Sequence, residues 1–503
     1  MNLRRTKIVS TLGPATDPDS VLLEVLREVD AVRLNFSHGN IEDHIRRIES
    51  VRRLSIDLGK DVAVFADLQG PKIRIGCFEG GECFLNVGDR FIFDLDCDPN
   101  RGSSERVWFD YPGLVKDVQS RENLIFLLDD GKIRMRVCSS WDRGFECIVE
   151  CGGVLFSRKG MSVLGGGVCA PMLTSKDLED LKKACQLDVD MIALSFPASG
   201  NDILKARELI DAYDPTIGII SKIERKEAVD NLEDIIQYSD VVMVARGDLA
   251  LEVGEEEVPI LQKYIIKQGR LKETPIIVAT QMMESMTQSA TPTRAEVSDV
   301  ANAVLDGADC VMLSAETATG LYPSQVVQKV ASICKSIEKH SLTQKSQYQD
   351  KIKYHSIDES VAYATMYLAN RMPVSAIIAL TEHGKTPRIM SRVRTGIPIY
   401  ALSRKSRSRA FMSFLRDVYP VSFDMQEIKT SKQLVVKVVD YFLERGVIGK
   451  EDCFILTHGD DLTGSRSTST LKVCKVADIL SYGSSNDCTK GRMEELIGVE
   501  YNE

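Results

Sequence analysis

Eight short runs rich in β-branched and other apolar residues recur along the first two thirds of the chain, each separated from the next by enough residues for a helix. They span 6–13, 31–37, 62–68, 191–197, 218–224, 241–248, 275–281 and 310–316. Such alternation with amphipathic segments is the signature of βα units and a parallel sheet. The runs are apolar almost without a break, as expected of strands covered on both faces. Eight parallel strands with helices between them close most simply into a (β/α)8 TIM barrel.

The series breaks once. Residues 70–171 have a different texture, with short strand-like segments at 82–85, 90–95, 124–128, 132–137 and 145–151 and a turn at Asp130-Gly131. Helical periodicity is nearly absent there, so a small inserted β-barrel is expected. On a barrel enzyme such an insert at a βα loop lies over the active face, where it serves as a mobile lid. The barrel itself then takes 1–69 and 172–342. A polar stretch at 341–355 reads as a linker, after which βα alternation resumes at 376–380, 397–401, 418–421 and 453–457. This predicts a separate C-terminal α/β domain over 343–476. The tail at 477–503 shows little periodicity and receives no assignment.

Composition removes several function classes. A net charge of −10 argues against a nucleic-acid binder, which needs a basic face. No apolar stretch approaches the roughly 18 residues of a membrane span. The basic start, Met1 to Lys7, lacks an apolar signal core. Thirteen cysteines are scattered singly with no Cys-x-x-Cys pair, which suits reduced thiols in a cytoplasmic protein.

The polar residues fall at strand ends. The second run closes on Arg33-Leu34-Asn35-Phe36-Ser37-His38, and the third on Asp67-Leu68-Gln69-Gly70-Pro71-Lys72-Ile73-Arg74. The fifth closes on Lys222-Ile223-Glu224, the sixth on Arg246-Gly247-Asp248, the seventh on Thr280-Gln281 and the eighth on Ser314-Ala315-Glu316. Catalytic groups of TIM barrels stand at these ends, so six such ends converge on one mouth. Glu224 and Asp248, on neighbouring strands, suit a hard divalent cation, since Mg²⁺ takes one or two carboxylates plus substrate oxygens. Arg33, Arg74 and Lys222 surround that point with the positive charge that phosphoryl transfer requires. Gly247 leaves backbone N–H groups open to an anion.

Residues 32–39, 67–76, 221–224, 243–249, 279–286 and 312–317 closely resemble, in order, the signatures of the pyruvate kinase family, and the insert falls in that family's place. The resemblance covers about residues 4–475. It implies transfer of the phosphoryl group of phosphoenolpyruvate to ADP, giving pyruvate and ATP in glycolysis. It also implies Mg²⁺ (or Mn²⁺) on Glu224 and Asp248, and Lys222 against the transferring group. Arg33 and Arg74 would meet phosphoryl and nucleotide oxygens, for which a guanidinium fork is suited. Thr280, with Ser314 and Glu316, would belong to a water relay near the face where the enolate carbon is protonated. A hydroxyl alone is a poor acid, so Thr280 is not read as the final donor. Gly247 and Asp248 would bind substrate, and Asn35, His38 and Lys176 resemble nucleotide-site positions. His38 equally suits a capping role before the helix near Glu42.

One departure concerns potassium. Many family members require it and carry Glu where this chain has Lys72, with Thr and Lys where it has Leu68 and Gln69. Members with the Lys pattern resemble the potassium-independent subgroup, the ammonium supplying the charge. Asn35, Ser37 and Asp67 still match the monovalent-ion positions.

In the C-terminal domain, Thr381-Glu382-His383-Gly384-Lys385-Thr386 follows a strand with small, hydroxyl and basic residues suited to a phosphate. The family places a phosphorylated allosteric effector here. Thr381, Gly384, Lys385 and Thr386, with Arg466 from the loop 464–470, are its expected contacts. The pattern is more similar to enzymes answering to AMP or sugar monophosphates than to fructose-bisphosphate types. A homotetramer is implied by resemblance alone. Two other readings compete: an Mg²⁺-dependent barrel enzyme acting on an enolate, for which the lid and C-terminal domain are superfluous, and a non-catalytic metabolite sensor, which retention of Lys222, Glu224, Asp248 and Thr280 opposes.

Overall fold

A computed structural model describes residues 3–167, 171–340, 343, 355–425, 428, 430–459 and 467–481. It divides into two compact units, one over Ile8–Ala331 and a second made of the segment up to Lys7 with the described residues from Ser332 onward.

All eight anticipated barrel strands are present. They are β1 (Lys7–Thr11), β2 (Ala31–Asn35), β3 (Ala63–Asp67), β4 (Met191–Leu194), β5 (Gly218–Ile223), β6 (Val241–Ala245), β7 (Ile276–Ala279) and β8 (Cys310–Leu313). They close in the order β1-β8-β7-β6-β5-β4-β3-β2. Every residue of β1, β3, β4, β6, β7 and β8 is buried, which explains the unbroken apolar runs. Parallel register aligns Thr11 with Arg33, Asn35 with Asp67 and Asp67 with Ala193, so the polar strand ends share one rim. All eight strands end before their runs do; after β6 and β8 the reason is that a helix begins at once, Arg246–Val253 and Ala315–Ala318. The helix after β2, Ile41–Leu58, is capped by Asn40, whose side chain accepts from Asp43 N at 2.8 Å. Asn40 therefore fills the capping role considered for His38.

The insert is almost entirely β structure. The expected small barrel takes the form of a six-stranded sheet and a two-stranded ribbon, Glu82–Leu85 with Gly153–Phe156. One short helix, Leu114–Gln119, was not anticipated. Phe91, Phe93, Phe109, Phe126 and Phe145 are fully buried in its core. Phe145 stacks on both Phe93 and Phe126 with ring centroids 5.0 Å apart.

The second unit carries β9 (Ala376–Leu380), β10 (Ile399–Ser403), β11 (Val418–Ser422), β12 (Cys453–His458) and β13 (Thr470–Lys475), in the order β11-β10-β9-β12-β13. The first four are parallel, and β13, absent from the sequence expectation, adds antiparallel to β12. The segment before β1, assigned by sequence to the barrel, groups with this unit. Arg5 donates to the carbonyls of Thr343 and Thr395, and its backbone N–H to Glu338. Residues 476–481 are helical.

Candidate active site

A cavity of about 170 Å³ opens at the C-terminal rim of the barrel, beneath the insert. Arg33, Asn35, Ser37, His38, Asp67, Lys72, Arg74, Lys222, Glu224 and Asp248 all line it, together with Leu68, Gln69 and Phe196.

Charge alternates across its floor. Arg33 Nε donates to Asp67 Oδ2 at 2.6 Å. Lys222 Nζ lies 3.3 Å from Asp67 Oδ1 and 2.8 Å from Glu224 Oε1. Burial works against the Lys222 ammonium, but the charges of Asp67 and Glu224 outweigh it and its pKa is pushed up to about 12. Burial and the nearby Asp248 charge raise Glu224, against the pull of Lys222. Burial likewise disfavours the Asp67 carboxylate, yet Lys222 and Arg33 hold it below its ordinary value. At the opening, Lys72 Nζ pairs with Asp248 Oδ1 at 3.0 Å. His38 is shifted down by burial and by Arg74 and Arg33, which favours the neutral imidazole. From the insert side, Arg74 N donates to Asp110 Oδ1 at 2.8 Å and Arg74 Nη1 to Arg158 O at 3.2 Å.

Thr280 follows β7 with φ +71°, a left-handed conformation that β-branched residues rarely adopt. Arg246 holds this turn, donating to Ala279 O at 3.3 Å and Thr280 O at 2.5 Å while pairing with Asp299 at 2.8 Å. Thr280 Oγ1 in turn accepts from Gly247 N at 2.8 Å, so the Gly247 N–H expected to be open to an anion is engaged within the protein. A strained backbone kept in place by such bonds is characteristic of functional sites.

Comparison with known proteins now decides the family. A family model described as "Pyruvate kinase, barrel domain" matches residues 3–327, and "Pyruvate kinase, alpha/beta domain" matches 359–474. Pyruvate kinase II of Salmonella typhimurium is 43% identical over 94% of this chain and 99% of its own length. The pyruvate kinase of Haemophilus influenzae is 44% identical over 94% and 98%. That of Geobacillus stearothermophilus is 35% identical over 95% of this chain and 82% of its own. The chain belongs to the pyruvate kinase family.

It is accordingly a phosphotransferase, with the TIM barrel and C-terminal α/β domain of that family. Other expected site residues lie outside the cavity lining. Glu316 is buried and accepts from Met283 N at 3.1 Å and Ser314 N at 2.6 Å, which fixes the β8 turn. Lys176 Nζ donates to Phe36 O at 3.1 Å and pairs with Asp180. In the second unit, Thr381 Oγ1 accepts from Gly384 N at 3.0 Å, Lys385 pairs with Asp358 at 2.7 Å, and Thr386 and Thr468 share a 2.6 Å hydrogen bond. Arg466 lies outside the described residues.

Sequence reasoning passed over the end of β4. Ser195 Oγ accepts from Lys222 Nζ at 2.7 Å, and Phe196 N donates to Glu224 Oε2 at 2.8 Å. The only signal was a lone Ser ahead of Phe-Pro. Arg246, at the end of the sixth run, receives no role from the sequence, since its burial depends on contacts with Asp299 and Gln262 that lie further along the chain.

Proposed function

We propose that the enzyme transfers the phosphoryl group of phosphoenolpyruvate to ADP at this cavity, giving pyruvate and ATP. The bond from phosphorus to the enol oxygen breaks, a bond to a terminal ADP oxygen forms, and the enolate takes a proton at its terminal carbon. The observation that carries this reading is the shared cavity of Arg33, Lys222 and Lys72 with the carboxylates of Asp67, Glu224 and Asp248.

Each residue has a task under this reading. Arg33 and Arg74 bind phosphoryl and nucleotide oxygens. Lys222, kept charged by its carboxylate neighbours, faces the moving group and then stabilises the enolate oxygen. Glu224 and Asp248 form a hard two-carboxylate donor set that fits Mg²⁺ or Mn²⁺. A metal held there would supply positive charge to offset that of the transferring group. Gly247 and Asp248 meet the substrate, while Thr280, Ser314 and Glu316 order the water that delivers the proton. Asn35, His38 and Lys176 serve the nucleotide.

Lys72 replaces a required potassium ion in the same reading, and Asn35, Ser37 and Asp67 remain as vestiges of the monovalent site. A phosphorylated metabolite bound at Thr381, Gly384, Lys385 and Thr386, with Arg466, regulates a cytoplasmic homotetramer. The test is pyruvate release from phosphoenolpyruvate and ADP with Mg²⁺. Wild type is expected to be active and Lys222→Met inactive; pyruvate formation that survives Lys222→Met removes Lys222 from its role.

A further inference from the structure

Ser195, at 2% exposure, directs its hydroxyl two ways. Oγ donates to Leu68 O at 2.7 Å and accepts from Lys222 Nζ at 2.7 Å. With its only proton committed to the carbonyl, the oxygen presents lone pairs to Lys222, so it receives an ammonium N–H. An ammonium carries three donors. The remaining two face Glu224 Oε1 at 2.8 Å and Asp67 Oδ1 at 3.3 Å. The Asp67 contact is the longest of the three, and Asp67 keeps Arg33 as a partner without it. A substrate oxygen can therefore replace Asp67 at the ammonium while the other two contacts persist.

The same turn holds the second member of the pair. Phe196 has φ +56°, which aims its N–H at Glu224 Oε2. Close packing keeps the turn in place, since a Cβ added to Gly70 would come within 2.6 Å of Ser195 Cβ.

We propose that Ser195 is a positioning residue for Lys222, fixing its ammonium against the β3 end so that the donor facing Asp67 is the one offered to the substrate. The proposal rests on the reading that Lys222 faces the transferring group. The experiment compares wild type, Ser195→Ala and Lys222→Gln for kcat, KM for phosphoenolpyruvate, Mn²⁺ affinity by electron paramagnetic resonance and thermal midpoint. Ser195→Ala is expected to lose at least tenfold in kcat, with KM within threefold and Mn²⁺ affinity within twofold of wild type. Should Ser195→Ala not fold, Ser195→Cys, which keeps the volume and weakens the acceptor, is assayed for the same split. If Lys222→Gln is inactive while the Ser195 variant keeps its kcat, the positioning role alone is overturned. Equal losses in kcat and Mn²⁺ affinity also overturn it, because they mark a general collapse of the site. Activity retained by Lys222→Gln overturns the underlying reading instead.

Discussion

The Lys72 ammonium lies 3.0 Å from Asp248 Oδ1, inside the cavity that also contains Asn35, Ser37 and Asp67. Burial disfavours its charge, but Asp248, Asp130 and Glu224 together outweigh burial and the pKa is raised, so the ammonium persists throughout the neutral range. Under the proposed reading, this permanent cation stands in for a dissociable one. Wild-type activity is expected to change less than twofold when potassium is added to a potassium-free, sodium-free assay. Lys72→Met is expected to fall at least tenfold in the same buffer. Strong activation of wild type by potassium would exclude the internal-cation role.

Glu224 and Asp248 provide a second prediction, read without turnover. Removing one carboxylate from a two-carboxylate site takes away half the protein's share of the coordination. Asp248→Asn and Glu224→Gln are each expected to weaken Mn²⁺ binding at least tenfold, measured by electron paramagnetic resonance in the absence of substrate. Unchanged affinity in both variants would place the metal elsewhere.

Two glycines at the rim should behave oppositely. Gly70 has φ +71°, and a Cβ there would meet Ser195 Cβ at 2.6 Å. Left-handed backbone costs an L-residue roughly 1–2 kcal/mol before any clash. Gly70→Ala is therefore expected to lower the thermal midpoint by several degrees. A Cβ on Gly247 meets the Thr280 side chain at ordinary distances, Oγ1 nearest at 3.6 Å. Gly247→Ala should keep wild-type stability and raise KM for phosphoenolpyruvate at least fivefold, because the methyl group intrudes where the anion approaches. Differential scanning fluorimetry and steady-state kinetics check the pair. Wild-type KM in Gly247→Ala would remove that glycine from the substrate contact.

What was legible in the sequence was mostly local. Strand positions follow from apolar runs, and the placement of Lys222 and Glu224 at the cavity follows from polar residues that end such a run. The runs ending at Asp248 and Glu316 reach past β6 and β8 because a helix follows each strand within two residues, and Gly247 stands inside the first turn of its helix and not ahead of it. The edge strand β13 and the attachment of Arg5 to Glu338 depend on partners distant in sequence, which periodicity does not register. Ser195 escaped for a related reason. A buried hydroxyl has meaning only through its partners, and those, Leu68 and Lys222, sit on other strands.

The last prediction concerns Glu252, in the helix that carries Asp248. Gly165 N, from the turn after the strand Met161–Val163, donates to Glu252 O at 2.7 Å, and Gly167 N donates to Glu227 Oε1 at 2.7 Å. This loop brings two carboxyl groups together, since a Cβ on Gly166 would lie 3.0 Å from Glu252 Oε2 and 3.2 Å from Glu227 Oε1. Burial is the main cause that raises the Glu252 pKa from 4.5 to about 7; Glu227 and Asp248 add to it, against Arg225 and the Lys226 N–H. A carboxyl group raised on folding stabilises the fold in its protonated form. That contribution is complete below the unfolded value of 4.5 and is lost as pH rises through about 7. Above that point the buried charge persists beside Glu227. Glu252→Gln holds the position neutral at every pH. Its thermal midpoint is expected to match wild type near about pH 4, below the unfolded value, and to exceed it by several degrees near about pH 8, above the folded one. A gain of equal size at both values would mean that packing, and not ionisation, separates the two proteins.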